Sequence, residues 1–217
     1  MRDECRAHFH QYFLQAMGAL PDMHDANVLD MGCGTGVSIC EMARRTDWHF
    51  SAVEPDAYCL DVLREKVTRS GWEDRFRLIN DRIQDAALPP NHFDIILAEG
   101  LFNVIGFETG LEICDRLIRQ DGWLILHDER AGRDEKRDLF AQKGYVLRRE
   151  VQVGSDVWGK EYVGRLRGQM HGVLPQGEAD KAVLADVHRA IALFDENPAV
   201  FESIYYVLQK SGGVSDE

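Results

Sequence analysis

The most informative segment of this sequence is Val28-Leu29-Asp30-Met31-Gly32-Cys33-Gly34-Thr35-Gly36. It joins a short apolar run to a turn with three glycines, and residues 37–45 after it have the pattern of a helix. A glycine-rich turn between a strand and a helix lets the backbone approach a ligand and presents helix N-terminal amides to it. The segment therefore predicts a ligand-binding strand, loop and helix. Taken alone, its spacing also fits nucleotide sites and purely structural turns.

Strands and helices alternate after this loop. Further strands are predicted at 49–54, 76–79, 93–98, 122–127, 145–153 and 203–210, and helices at 55–69, 108–119 and 136–142. Near-continuous apolar strands that alternate with helices are typical of a parallel sheet covered on both faces. The predicted fold class is therefore α/β, and we expect residues 1–217 to form a single domain.

Two helical segments stand outside this alternation. Aromatic residues and leucines recur at helical spacing before Pro21, which predicts an N-terminal helix within residues 1–22. Residues 155–198 contain helical spacing, a Gly-rich turn region and an amphipathic helix at 179–194, which together predict an inserted helical cover before the last strand. The tail at 212–217 is expected to be mobile.

Composition narrows the function classes. The chain has 217 residues, of which 45% are hydrophobic, and a formal net charge of -12, so a sizeable core is expected and phosphate backbones are repelled. The five cysteines form no Cys-x-x-Cys pair, so we expect free thiols in a reducing compartment. Since neither a signal-peptide core nor a run of ~18 apolar residues is present, a cytoplasmic protein without membrane or nucleic-acid partners is expected.

Three residues around the loop distinguish between ligands. Glu54 ends the next strand, where a carboxylate can accept hydrogen bonds from both ribose hydroxyls, although it also fits a solvated acid at a strand end. Val37 occupies the position of the third glycine of a dinucleotide loop. Asp30 would repel a diphosphate and attract an ammonium or sulfonium, directly or through water; its alternative role is to accept from loop amides.

With these residues the sequence resembles class I S-adenosylmethionine-dependent methyltransferases from about Asn27 to His127 and again in the last strand. Residues 28–36 are similar to the first motif of that family, residues 53–56 to the second and residues 79–83 to the third. The resemblance implies a Rossmann-like, mostly parallel sheet of seven strands in the order 3-2-1-4-5-7-6, with the last strand antiparallel. It implies that the cofactor is bound by Asp30, Gly32, Cys33, Gly34, Gly36, Glu54, Pro55, Asp81, Arg82, Ile83 and Ala98. Asp85 competes with Asp81 as the acid beside the adenine amino group.

The methyl acceptor is expected at the carboxyl ends of the strands. Methyl transfer is an in-line displacement at an activated sulfonium, so the protein mainly aligns the nucleophile and excludes water, and a base is optional. Glu99 and Asn103 are the nearest polar candidates in this family's fold. Glu99 can accept a proton from the acceptor, hold the cofactor or cap a helix.

Other polar and aromatic residues can reach the acceptor. His127, Asp128 and Glu129 end the fifth strand and can contact a substrate or orient one another, but contiguous strand residues cannot point one way, so no metal is expected. An aromatic pocket for a partly apolar or cationic acceptor is the alternative to ordinary packing for six residues: Phe9, Tyr12, Phe13, Trp158, Tyr162 and Met170.

The sequence thus predicts a cytoplasmic methyltransferase, a monomer or homodimer, that transfers a methyl group from S-adenosylmethionine to an oxygen or nitrogen of a small molecule. Two rivals are a nucleotide-dependent oxidoreductase that uses the same loop and a non-catalytic S-adenosylmethionine-binding protein. The acceptor itself is not encoded in any motif.

Overall fold

The structure is a computed structural model that describes residues 8–170 and 178–211. The start of the N-terminal helical segment, the Gly-rich turn region, His171 and the tail therefore lie outside the described residues. The strands are β1 (Asn27–Met31), β2 (His49–Val53), β3 (Phe76–Ile79), β4 (Phe93–Glu99), β5 (Ile118–Glu129), β6 (Tyr145–Val153) and β7 (Ser203–Lys210). The helices of the α/β core are α1 (His10–Met17), α2 (Val37–Ala43), α3 (Ala57–Ser70), α4 (Phe102–Ile105), α5 (Phe107–Leu117) and α6 (Arg133–Gln142).

A helical cover fills the connection between β6 and β7. It consists of α7 (Ser155–Val157), a π-helix (Trp158–Val163), α8 (Gly164–Met170) and α9 (Glu178–Glu196), followed by a 3₁₀ turn (Pro198–Phe201). The predicted helix at 179–194 is α9. Among the described residues, no helix is long and apolar enough to cross a membrane.

The sheet confirms the predicted topology. Its seven strands lie in the order β3-β2-β1-β4-β5-β7-β6, and β7 is antiparallel to both of its neighbours. Several element boundaries differ from the prediction by a few residues, and the start of β5 differs most, since β5 begins at Ile118 rather than at Gly122. Ile118 pairs with Phe93 ahead of a register shift and is 1% exposed. Pairing with β4 therefore places Ile118 in a strand, although the helical pattern predicted a helix that continued to Arg119.

The core has one layer on each face of the sheet because successive strand residues point to opposite faces. Along β4, Ile95 and Leu97 pack with α2 and α3, whereas Ile96 and Ala98 pack with α4 and α5. The helix α1 contacts β6 and β7.

The carboxyl ends of β1, β2, β4 and β5 meet at one edge of the sheet. The start of antiparallel β7 lies at the same edge, since Ser203 pairs with Glu129. This edge therefore brings together residues that are far apart in the chain, and the connections that follow these strands are the natural place for a ligand.

Candidate active site

The glycine loop is held in a conformation that ordinary residues avoid. Gly32, Gly34 and Gly36 have φ angles of 73°, 53° and 77°. A Cβ atom on Gly36 would lie 2.3 Å from Cδ1 of the buried Leu63 of α3, whereas a Cβ on Gly34 would have no heavy atom within 4 Å. Gly36 thus packs the loop against the fold, and Gly34 keeps an open space beside it.

Glu54 and Lys66 hold the glycine loop in place by hydrogen bonds to its backbone. The amide of Gly34 donates to Glu54 Oε2 at 2.9 Å, and the amide of Asp56 donates to Glu54 Oε1 at 2.9 Å. Lys66 Nζ donates to the carbonyl oxygen of Thr35 at 2.8 Å. The carboxylate of Glu54 therefore ties the glycine loop to the connection between β2 and α3.

Three carboxylates interact at the ends of β1, β2 and β4. Asp30 is 4% exposed, and burial raises the pKa of its carboxyl well above its usual range; the negative charges of Glu99 and Glu54 raise that pKa further. Ser38 Oγ of α2 donates to Glu99 Oε1 at 2.9 Å. Because like charges disfavour one another's ionised forms, this cluster attracts a cationic ligand.

A cavity of about 540 Å³ opens beside these carboxylates. Its cofactor side, as we name it, is lined by Asp30, Gly32, Cys33, Gly34, Thr35, Val37, Ser38, Cys59, Glu99, Gly100 and Asn103. Its acceptor side is lined by residues of α1, the end of β5, the helical cover and the start of β7: Phe9, His10, Phe13, His127, Asp128, Glu129, Trp158, Tyr162, Ala190, Val200, Phe201, Ser203 and Tyr205.

His127 is fixed between aromatic rings on the acceptor side. Its ring stacks on Tyr205, with centroids 3.9 Å apart and planes 4° apart, and lies parallel to Trp158 at 6.3 Å. Trp158 Nε1 donates to Ser203 Oγ at 3.0 Å, and His127 Nε2 lies 2.8 Å from the same oxygen. Ser203 therefore couples the orientations of the indole and the imidazole.

Comparison with known proteins agrees with this geometry. A family model described as "Methyltransferase domain" matches residues 28–122, which hold the glycine loop, all three carboxylates and strands β1 to β4. Residues 28–122 are therefore similar to methyltransferase domains, in agreement with the family predicted from the sequence.

The curated relatives of this segment act on different acceptors, according to their names. The chain is 34% identical to a tRNA1(Val) (adenine(37)-N6)-methyltransferase of Haemophilus influenzae over 99 residues, which are 44% of this chain and 41% of that protein. It is 28% identical to protein arginine N-methyltransferase 1 of Saccharomyces cerevisiae over 101 residues, 46% of this chain and 28% of that protein. The matched part of each relative is less than half of its length.

Solved structures share the fold over nearly the whole chain. The [4+2]-cyclase SpnF superimposes with a TM-score of 0.79 at 14% identity, covering 94% of this chain and 82% of that one. A methyltransferase of Geobacter sulfurreducens, crystallised with S-adenosyl-L-homocysteine, has a TM-score of 0.73 at 16% identity, covering 91% and 90%. The helical cover that the family model leaves unmatched thus has counterparts in this fold.

The residues predicted to bind the cofactor fall into two groups, those that line the cavity and those that do not. Asp30, Gly32, Cys33 and Gly34 line it, as do Glu99 and Asn103, the two predicted near the acceptor. The remainder do not line it: Gly36, Glu54, Pro55, Asp81, Arg82, Ile83 and Ala98. Ile83 and Ala98 are 3% and 0% exposed and belong to the core, and Asp81 Oδ1 accepts from the amide of Arg82 at 2.8 Å.

Several lining residues were missed by sequence reasoning. Ser38 is the second residue of α2 and Cys59 the third residue of α3, and only the fold brings them to the cavity. Phe201, Ser203 and Tyr205 follow the cover, where no motif marks a ligand site. Of the predicted aromatic set, Tyr12 and Met170 do not line the cavity; they pack against hydrophobic clusters.

Proposed function

We propose that this chain is an S-adenosylmethionine-dependent methyltransferase that acts on a small molecule. The observation that carries the proposal is the cluster of Asp30, Glu54 and Glu99 beside an open glycine loop. A buried carboxylate crowded by two others is stabilised by a cation and destabilised by an anion. The ammonium and sulfonium of S-adenosylmethionine supply positive charge there, whereas the diphosphate of a dinucleotide adds negative charge.

The cofactor extends from the cavity across the ends of β2 and β3 in this proposal. Glu54 accepts from the ribose hydroxyls in addition to, or in exchange for, the amides of Gly34 and Asp56. Pro55, Arg82 and Ile83 flank the adenine, and the carboxylate of Asp81 accepts a hydrogen bond from the adenine amino group. Asn80 Nδ2 donates to the carbonyl oxygens of Glu54 and Pro55 at 2.9 and 3.1 Å, which brings the ends of β2 and β3 together for this purpose.

The shape and charge of the cavity support a small acceptor. The helical cover and α1 close the acceptor side with aromatic rings, and the described residues that line it include no lysine or arginine. A nucleic acid needs a basic surface for its phosphates, and the formal net charge of -12 opposes one. These features separate the acceptor proposed here from the tRNA named for the Haemophilus influenzae relative.

Glu99 and Asn103 face the methyl group in this proposal. Glu99 ends β4, pairs in register with His127 and accepts from Ser38, so its carboxylate is aimed at the junction of the two sides. Asn103 is exposed on the short helix α4 at the mouth of the cavity. We assign Glu99 to the alignment of cofactor and nucleophile, and Asn103 to a hydrogen bond with the acceptor.

Two measurements test the proposal. Thermal shift should show stabilisation by S-adenosylhomocysteine and none by NAD, since only a ligand of the native state raises the melting temperature. Transfer of radiolabelled methyl from S-adenosylmethionine to a panel of small amines, phenols and acids then tests catalysis directly. Direct transfer must be measured because the [4+2]-cyclase SpnF shares this fold. Stabilisation by NAD alone favours an oxidoreductase, and tight binding without transfer favours a non-catalytic binding protein.

A further inference from the structure

The acceptor side of the cavity is built around Trp158. Its ring contacts Phe9 at 4.5 Å, Tyr162 at 5.4 Å and Phe201 at 5.9 Å between centroids, with planes inclined by 42°, 80° and 59°. We call Phe9, Trp158, Tyr162 and Phe201 the Trp158 cluster. All four rings line the acceptor side of the cavity.

The Trp158 cluster is incompletely covered. Trp158, Tyr162 and Phe201 are only half-buried, although they sit among fully buried residues such as Phe13 and Tyr205, and all of them line the cavity. Large aromatic rings that keep accessible surface inside a cavity are available to a ligand. Their faces carry negative electrostatic potential and attract cations, with tryptophan the strongest of the three ring types.

The charges that line the cavity have one sign. Its described lining residues include four acids, Asp30, Glu99, Asp128 and Glu129, and no lysine or arginine. Lys136, which contacts the lining residue Asp128, is paired with its carboxylate, with Nζ and Oδ2 2.6 Å apart. Glu129 is exposed at the end of β5, and burial lowers the pKa of His10, which disfavours a positive charge on its imidazole. An anionic acceptor therefore finds no permanent cation among these residues.

Methyl transfer to different nucleophiles places different charges in this cavity. When a neutral amine attacks, its lone pair forms the new N–C bond, the S–C bond breaks, and its electron pair stays on the sulfur of S-adenosylhomocysteine. The positive charge moves from sulfur to the methylated nitrogen, so the cavity holds one positive charge throughout. When a phenolate or carboxylate attacks, the same step neutralises the charge. The acids and ring faces of the cavity stabilise the positive charge that an amine acquires on methylation, and they oppose the entry of an anionic phenolate or carboxylate.

Resting on the function proposed above, we propose that the acceptor is an amine carried on an apolar body, with its nitrogen against the Trp158 cluster. The apolar body fills the space beside Phe9 and Phe13. The positive charge that develops on nitrogen lies against the face of Trp158 and near the carboxylate of Glu129. The acceptor side thus selects a nitrogen nucleophile by charge, whereas the cofactor side binds the common cofactor.

Matched probes test this selection. With the protein saturated with S-adenosylhomocysteine, we would titrate phenethylamine, 2-phenylethanol and 3-phenylpropionate, which share a phenyl ring and differ in the charge of the end group, using ligand-observed NMR and calorimetry. Phenethylamine is expected to bind at least about tenfold more tightly than 3-phenylpropionate. Equal or tighter binding of the carboxylate overturns the proposal, and so does an absence of phenethylamine binding at about 10 mM.

Variants locate the effect. Trp158→Leu should reduce the preference for the amine to within about threefold, whereas Trp158→Phe keeps a ring and should retain most of it. A variant is taken to be folded if its affinity for S-adenosylhomocysteine is within about twofold of that of the unchanged protein. If Trp158→Leu fails that check, Tyr162→Leu takes its place. An unchanged preference in the folded leucine variant overturns the role of the cluster. Failure of the unchanged protein to bind S-adenosylhomocysteine instead overturns the proposed function.

Discussion

The two sides of the cavity are built in different ways. The cofactor side consists of short connections that directly follow β1, β2 and β4, so each functional residue lies within a few positions of a strand end. The acceptor side takes Phe9 from the N-cap of α1, His127 from β5, Trp158 from the helical cover and Tyr205 from β7. One side is local in sequence, and the other is assembled only by the tertiary fold.

This difference separates two kinds of dependence on structure. The cofactor side relies on backbone conformation and on carboxylates, for which a single residue type is required at a given position. The acceptor side relies on the packing of interchangeable rings, which substitution changes gradually. We therefore expect the largest effects of single substitutions in the glycine loop and the smallest in the hydrogen bonds that orient the rings.

The largest effect is expected for Gly36→Ala. A side chain at φ of 77° costs about 1 to 2 kcal/mol, and overlap with the buried Leu63 adds about 1 to 3 kcal/mol. The free energy of unfolding, measured with urea, should fall by about 3 kcal/mol. Gly34→Ala is the matched control, since it has the backbone cost without a neighbour within 4 Å, and should lose about 1 kcal/mol. Equal losses in the two variants would show that contact with Leu63 is unimportant.

Glu54→Ala should weaken the binding of S-adenosylhomocysteine about 10- to 100-fold, because charge-assisted hydrogen bonds to ribose are worth about 1.5 to 3 kcal/mol. Calorimetric titration measures the affinity. The control is Asp56→Ala, which removes the side chain that caps α3 and should cost about 1 kcal/mol of stability but leave the affinity within about twofold. An affinity of Glu54→Ala within about twofold of the unchanged protein would refute the ribose role.

The same contrast explains what the sequence could predict. The positions of β6 and β7 and the cavity position of Asp30 and Gly34 follow from local patterns, because strands, turns and their flanking acids are encoded by neighbouring residues. The order of the strands came instead from the resemblance to a known family. The contact of Ser38 with Glu99 and the network of His127, Ser203 and Trp158 do not follow from local patterns, since they join positions separated by 45 to 76 residues. Helical spacing also hid the start of β5, where the pairing of Ile118 with Phe93 of β4 overrides the helical pattern that was predicted to continue to Arg119.

A pH dependence of cofactor affinity should follow from Asp30. Burial and the charges of Glu99 and Glu54 raise the pKa of its carboxyl in the unliganded protein, and the ligand's ammonium lowers that pKa on binding. Binding therefore releases a proton, so affinity for S-adenosylhomocysteine rises with pH, by up to about tenfold per pH unit, until the pH exceeds the pKa of the unliganded protein. Calorimetry between about pH 5 and 7.5 should show this rise, and Asp30→Asn should abolish it. Affinity that is flat or falls over this range in the unchanged protein would contradict the prediction.

The smallest effect is expected on the acceptor side, for Ser203→Ala. The variant removes the oxygen that accepts from Trp158 Nε1 and contacts His127 Nε2, and one neutral hydrogen bond is worth about 1 kcal/mol. Trp158 still packs on Phe9, and His127 still stacks on Tyr205. Loosening of the indole and the imidazole should therefore weaken the binding of phenethylamine by no more than about fivefold. S-adenosylhomocysteine affinity should stay within about twofold, because His127 and Trp158, which contact this hydroxyl, both lie on the acceptor side. If Ser203→Ala lowered the affinity for S-adenosylhomocysteine as much as the affinity for phenethylamine, the cofactor side and the acceptor side would be coupled. That coupling would run through β5 and β7.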